Sequence, residues 1–233
     1  MKGIGFWKKY LENYEEETDI IPLKAGTSEF KGKSNYIQIF SKETKQKILE
    51  LTKKQGVTFS NVLELAMGIV LQKYNDSKDI VFGRVVSGRD LSIEGTIKEV
   101  GLFVNTLPVR ITDQDNTVEQ MLEKVKKNDL KIGQYEYCSL AQIIRETGKN
   151  PVKILYAYEN FLDAEVLLNK SDEINAENLR DETNYDLTVI VNNFEQLEWK
   201  VVYETSKYSE SEIIRFTKCV EKVLTNLPDH LET

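Results

Sequence analysis

Tyr185-Asp186-Leu187-Thr188-Val189-Ile190-Val191-Asn192-Asn193-Phe194-Glu195-Gln196-Leu197-Glu198-Trp199-Lys200-Val201-Val202-Tyr203 carries the clearest β signal in the chain. Leu187, Val189 and Val191 alternate with other residues, and Leu197, Trp199, Val201 and Tyr203 alternate with Glu198, Lys200 and Glu204. A two-residue period predicts strands. A short turn around Asn192-Asn193 would join them into an antiparallel hairpin with one wet face. Towards the C-terminus, Ile213, Phe216, Val220, Val223 and Leu227 recur at steps of three and four. That spacing predicts a helix, capped by Ser209 or Ser211. Towards the N-terminus lie further strand candidates at Val152–Tyr158, Thr106–Ile111, Asp79–Val86 and Asn35–Phe40. Helices fall between them. Ser41 caps one that carries Ile48 and Leu51 and stops at Gly56, and Ser60–Tyr74 is apolar almost all round, as a helix buried on several sides is. Val118, Met121, Leu122 and Val125 mark an amphipathic helix, and Leu140–Arg145 a shorter one ended by Gly148. Phe6–Tyr14 reads as an opening helix. This mixed order of elements, hairpin included, predicts an α/β fold with a mixed sheet flanked by helices.

At 233 residues the chain suits a single domain, 1–233, or one large lobe of a bigger one. Lys+Arg 31 against Asp+Glu 38 leaves a net charge of −7, the wrong sign for bulk attraction to nucleic acid or anionic lipid. No apolar run approaches the ~20 residues of a membrane span, and the N-terminus has no hydrophobic signal core, so the expected compartment is the cytoplasm. Cys138 and Cys219 form no CxxC pair, which argues against a disulfide framework or zinc ribbon, and Cys219 reads as a buried thiol on the last helix. The single histidine, His230, lies four residues from the end. Serine–histidine triads, histidine metal sites and two-histidine acyl-transfer motifs are therefore missing from the chain.

Several familiar signatures fail on inspection. Thr147-Gly148-Lys149 lacks the upstream glycine of a phosphate loop. Asp113-Gln114-Asp115-Asn116 lacks the glycine and distal glutamate of a calcium loop. Lys124, Lys126, Lys127 and Lys131 read as a solvated helix face, and Glu15–Asp19 as a surface loop. Three stretches resist such readings. In Val85-Val86-Ser87-Gly88-Arg89-Asp90 a small hydroxyl and a glycine at a strand end allow close backbone approach, and Arg89 adds a cation. In Val100-Gly101-Leu102-Phe103-Val104-Asn105-Thr106-Leu107-Pro108-Val109-Arg110, polar Asn105 and Thr106 interrupt an apolar run and need partners in the protein or on a ligand. The third is Asn184-Tyr185-Asp186-Leu187, at the hairpin entry.

In their order, these stretches resemble the C-terminal half of condensation domains from nonribosomal peptide synthetases. Ser87-Gly88-Arg89 is similar to that half's glycine-arginine segment, and Val100-Gly101-x-Phe103-Val104-Asn105-Thr106-x-x-x-Arg110 to the motif after it. Gln134 and Tyr137, Asn150-Pro151, Tyr158-Glu159-Asn160-Phe161, Asn184-Tyr185-Asp186-Leu187 and the opening Phe6-Trp7-Lys8-Lys9-Tyr10-Leu11 continue the likeness over nearly the whole chain. The family's His-His-x-x-x-Asp-Gly motif is missing, and the Gln134 region lacks the usual His-Gln-Asp pattern.

The resemblance implies one lobe of a chloramphenicol acetyltransferase-like fold. Two such lobes enclose a tunnel entered by phosphopantetheine arms of peptidyl carrier proteins, and an amine on one arm attacks an aminoacyl or peptidyl thioester on the other. This chain would be the C-terminal lobe, lacking the N-terminal catalytic-histidine lobe and inactive alone. Ser87, Gly88, Asn105, Thr106, Tyr185 and Asp186 would line the tunnel, with Arg89 and Arg110 as structural anchors. No cofactor would bind directly, and the partners would be the N-terminal lobe and carrier proteins. The exposed lobe-facing surface would favour self-association. Two other readings stay open: a non-catalytic carrier-binding or interaction module, and one component of a split acyltransferase.

Overall fold

The computed structural model describes residues 2–15, 17–20, 32–88, 104–112, 116–159 and 184–232. The chain opens with α1 (Lys2–Tyr10) and β1 (Lys33–Ile39), followed by α2 (Lys42–Gln55) and α3 (Phe59–Asn75). Strands β2 (Asp79–Val86) and β3 (Asn105–Thr112) lead to α4 (Val118–Gly133) and α5 (Leu140–Thr147). After β4 (Ile154–Glu159) come the hairpin strands β5 (Leu187–Asn193) and β6 (Leu197–Glu204), then α6 (Glu210–Asn226) and a 3-10 turn, Leu227–His230. The strands form one six-stranded sheet in the order β1-β6-β5-β4-β2-β3. β4 runs parallel to both β5 and β2, whereas β1/β6, β5/β6 and β2/β3 are antiparallel.

Local chemistry sets the helix ends. Ser41 accepts from Thr44 N–H at the start of α2, and Gly56 ends it at φ 61°. Thr58 and Asn61 bond reciprocally in a capping box before α3, as do Ser209 and Glu212 before α6. Helices α2, α3, α4 and α6 pack on one another over one face of the sheet. There Phe82, Tyr156 and Trp199 meet edge to face or tilted, with ring centroids 6.0–6.3 Å apart. α1 packs with α5 beside β3. The Tyr10 hydroxyl accepts the outward Arg110 N–H at 2.7 Å, and Pro108, two residues earlier on the same edge, has no N–H to satisfy.

Several sequence-based expectations change. α1 ends at Tyr10, not Tyr14: Asn13 turns into the left-handed region at φ 61°, and the Arg110 guanidinium takes the carbonyls of Tyr10 and Glu12 at 2.7 and 2.9 Å. Those oxygens would otherwise accept the next helical turn. The hairpin turn falls on 194–196, and Asn192 and Asn193 belong to β5, with Asn193 opposite Leu197. β5 is buried on both faces, Thr188 and Ile190 included, and lies inside the sheet between β6 and β4. On β6 the wetter face keeps Glu198, Lys200 and Glu204 half-buried, while Val202 on that face is buried. Within the Glu15–Asp19 loop Glu15 and Glu17 are exposed, as expected, but Thr18 is buried: its Oγ1 accepts the Val81 N–H at 2.9 Å, on the part of β2 that precedes its pairing with β4. Cys219 is only half-buried, and Cys138 is the buried thiol.

Candidate functional site

β2 ends at Val86 opposite Asn105, so the sheet register alone brings Ser87 and Gly88 to the start of β3. Gly88 is buried at φ 65°, a left-handed conformation that costs an ordinary L-residue roughly 1–2 kcal/mol. Ser87 beside it is exposed. Five residues earlier, a Cβ on Gly83 would overlap Val152 and stand 2.8 Å from Thr106 Cγ2. The absence of a side chain there lets the segment entering β4 close on β2.

The polar pair that interrupts the apolar run has two distinct fates. Asn105 is spent within the chain: Nδ2 donates to the carbonyls of Glu136 and Cys138 at 2.8 and 2.9 Å, and Oδ1 accepts from Thr106 N–H at 2.9 Å. It ties the start of β3 to the α4–α5 connection. Thr106 lies on the opposite sheet face, and burial raises the pKa of the Tyr185 phenol, with Thr106 opposing the rise. Asp186 stands apart. It forms an ion pair with Lys207, and its carbonyl accepts from Glu204 N–H at 2.8 Å. Arg110 grips Asp79 with two nitrogens while holding the end of α1, a bidentate geometry that ties three elements together. Arg89 and residues 100–103 of the motif lie outside the described residues.

Two groups near this end of the sheet escape a reading of the sequence. The first is a buried charge cluster. Arg84 Nη1 meets Glu64 Oε1 at 3.2 Å and also pairs with Asp129, while Asn61 donates to Asp129 at 3.2 Å and Ser60 to Glu64 at 3.1 Å. Burial is the larger influence on Glu64 and holds its carboxyl above the usual range, despite the opposing pull of Arg84. Its only sequence trace is a glutamate inside an otherwise apolar helix. The second group lies at the ends of β4 and β5. Asn193 Nδ2 donates to the Tyr158 hydroxyl at 3.1 Å, and Tyr158 stacks on Phe59 with centroids 6.3 Å apart. Asn192, in register with Glu159, points to the other face, and the Oδ1 atoms of Asn192 and Asn193 are buried without a partner. Alternation alone assigns both asparagines to a turn.

The register therefore gathers Ser87, Thr106, Glu159 and Asn192 on the face away from the main helices, at the carboxyl ends of three parallel strands. Open α/β sheets receive ligands at such ends. The groups assembled include hydroxyls and an amide, suited to orienting a bound chain. The single imidazole, His230, is exposed in the 3-10 turn.

A six-stranded mixed sheet with helices over one face and polar residues at its parallel strand ends defines a mixed α/β protein. More specifically, the chain belongs to the condensation domain family, whose sequence model matches residues 2–233. It is 32% identical over 217 residues to gramicidin S synthase 2 of Brevibacillus brevis, covering 89% of this chain and 5% of that protein. Its fold superimposes on a holo four-domain nonribosomal peptide synthetase bound to AMP and glycine, with TM-score 0.84 and 18% identity, over 100% of this chain and 19% of the other. The condensation domain of the Monacolin K polyketide synthase gives TM-score 0.76 at 13% identity, covering 99% of this chain and 58% of that one. The chain thus spans a small fraction of the synthase it matches and little more than half of the solved condensation domain. No described helix is long and apolar enough to cross a membrane.

Proposed function

We propose that these residues are the C-terminal lobe of a nonribosomal peptide synthetase condensation domain. The lobe forms one wall of a tunnel in which an aminoacyl or peptidyl thioester on one carrier protein is joined to the amine on another by an amide bond. The observation that supports this most directly is the meeting of Ser87-Gly88 and Asn105-Thr106 at the carboxyl ends of the parallel strands, within a chain that matches the family from end to end. Ser87, Thr106 and Tyr185 face the substrate. Gly88 keeps the backbone low, Asn105 holds the wall in place from behind, and Asp186 braces its edge through Lys207 and Glu204. Arg110, with Arg89, anchors the frame.

Phosphopantetheine arrives covalently on the carriers. Its amides suit this wall, because the buried, partnerless Asn192 oxygen at the end of β5 is an acceptor for an amide N–H. Ser87, Thr106 and Asn192 are the residues that would receive the arm. The lobe's contribution is positional: holding two tethered reactants together is worth up to roughly 7–11 kcal/mol of the barrier. Imidazole chemistry comes from a histidine motif outside these residues, so the lobe alone is inactive.

Reconstitution tests this reading. The chain is mixed with a separate N-terminal condensation lobe carrying His-His-x-x-x-Asp-Gly and with two loaded carrier proteins, and amide product is measured. Product that requires both lobes, and falls at least tenfold with Ser87→Trp, supports the tunnel wall. Carrier binding without product under every pairing favours a non-catalytic binding module. Full activity with Ser87→Trp removes the wall assignment.

A further inference from the structure

The two edges of the sheet are finished differently. On β3 the Tyr10 hydroxyl and Pro108 dispose of outward donors. On β1 the Phe40 N–H bonds inward to Leu197 O at 2.9 Å, which fixes the parity of the strand. The even-numbered residues of β1 pair with β6, and Asn35, Ile37 and Ile39 turn their backbone N–H and C=O outward. One of these groups has a side-chain partner: the Ile39 carbonyl accepts from the Gln38 amide at 3.1 Å. The same three residues are exposed, with Ile37 at 47% and Ile39 at 53%. From Ser34 to Ser41 the strand contains no proline and no charge, the usual devices that protect an edge.

We propose that β1 is a self-complementary interface through which two copies of this chain pair antiparallel about a twofold axis at Gln38, joining their sheets into one. The register follows from the residues. An axis at Gln38 sets Ile37 against Ile39 of the second copy, twice by symmetry, in pairs that exchange both backbone hydrogen bonds and cluster four isoleucines on one face. An axis at Tyr36 would instead set Ile37 against Asn35 and Ile39 against Lys33, placing isoleucine beside polar and charged groups. The extended backbone of Ser41, at ψ 153°, lets the pairing run from Asn35 to Ser41 before α2 begins. This surface is separate from the wall at the strand ends and does not depend on the function assigned there.

Sedimentation velocity on the full chain over a hundredfold concentration range reads the association. The expected result is a reversible dimer that Ile37→Lys abolishes while far-UV circular dichroism stays unchanged. An independent reading uses Gln38→Cys in a Cys219→Ser background. The two Gln38 residues form a non-hydrogen-bonded pair about 4.5 Å apart at Cα, within disulfide range, so mild oxidation cross-links the dimer. Tyr36→Cys in the same background does not cross-link. A monomer at every concentration, a dimer that survives Ile37→Lys, or cross-linking through Tyr36→Cys in place of Gln38→Cys overturns the proposal.

Discussion

Replacing Arg84 with Met tests whether buried charge holds the end of β2 in place. Arg84 lies three residues before Ser87 and reaches from the sheet to Glu64 on α3 and Asp129 on α4. The side chains of Arg84, Glu64 and Asp129 are 10%, 1% and 31% exposed, so two carboxylates share one cation largely out of water. Removing one partner of such a buried group costs about 3–5 kcal/mol. For a chain of this size that is a fall in Tm of about 6–20 °C. Asp129 can rehydrate, so the cost falls mainly on Glu64. Its carboxyl already titrates above the usual range in the folded state, so the native protein binds more protons than the unfolded chain between the ordinary carboxylate pKa and the raised one. Stability from this group is therefore fully present below the ordinary pKa and declines as pH rises through the raised one. Without Arg84 the proton is held more tightly still. The penalty of Arg84→Met is expected to be largest at pH 8 and to shrink towards pH 5, and Glu64→Gln is expected to flatten the native pH slope. Urea denaturation at both pH values measures this. A penalty below about 1 kcal/mol at pH 8, or one independent of pH, would refute the reasoning.

Other positions give sharper local tests. Gly88→Ala forces a side chain into the left-handed region, so thermal denaturation should show a loss of about 1–2 kcal/mol and reconstituted amide formation should fall with it. Thr18→Val removes the acceptor of the buried Val81 N–H and one partner of the Tyr14 hydroxyl, with an expected loss of about 1–3 kcal/mol in urea. Ser209→Ala breaks the capping box of α6 and should cost about 0.5–2 kcal/mol without altering the wall. Asn105→Ala leaves the carbonyls of Glu136 and Cys138 without their donor, and hydrogen exchange should rise first in the α4–α5 connection.

Much of this architecture is legible from neighbouring residues alone. Helix caps at Ser41, Ser209 and Gly148 and the strand Asp79–Val86 are local events, set by side chains within a few positions of the backbone groups they satisfy. The alternation of Leu197, Trp199 and Val201 likewise reports the buried face of β6, and the spacing of Ser87-Gly88 and Asn105-Thr106 carries the family likeness. Contacts between distant residues are not legible. Nothing near Tyr10 announces that Arg110 takes its carbonyl, and nothing near Thr18 shows that it serves Val81. Asn105 reads as a ligand-facing amide until the fold places two carbonyls more than thirty residues away against it. The pairing of Arg84 with Glu64 and Asp129 needs β2, α3 and α4 in place first. Short-range periodicity and capping act through a few bonds and are written in the chain. Register, edge exposure and the partners of buried polar groups arise only when segments far apart in sequence compete for the same space, and the tertiary structure settles that competition.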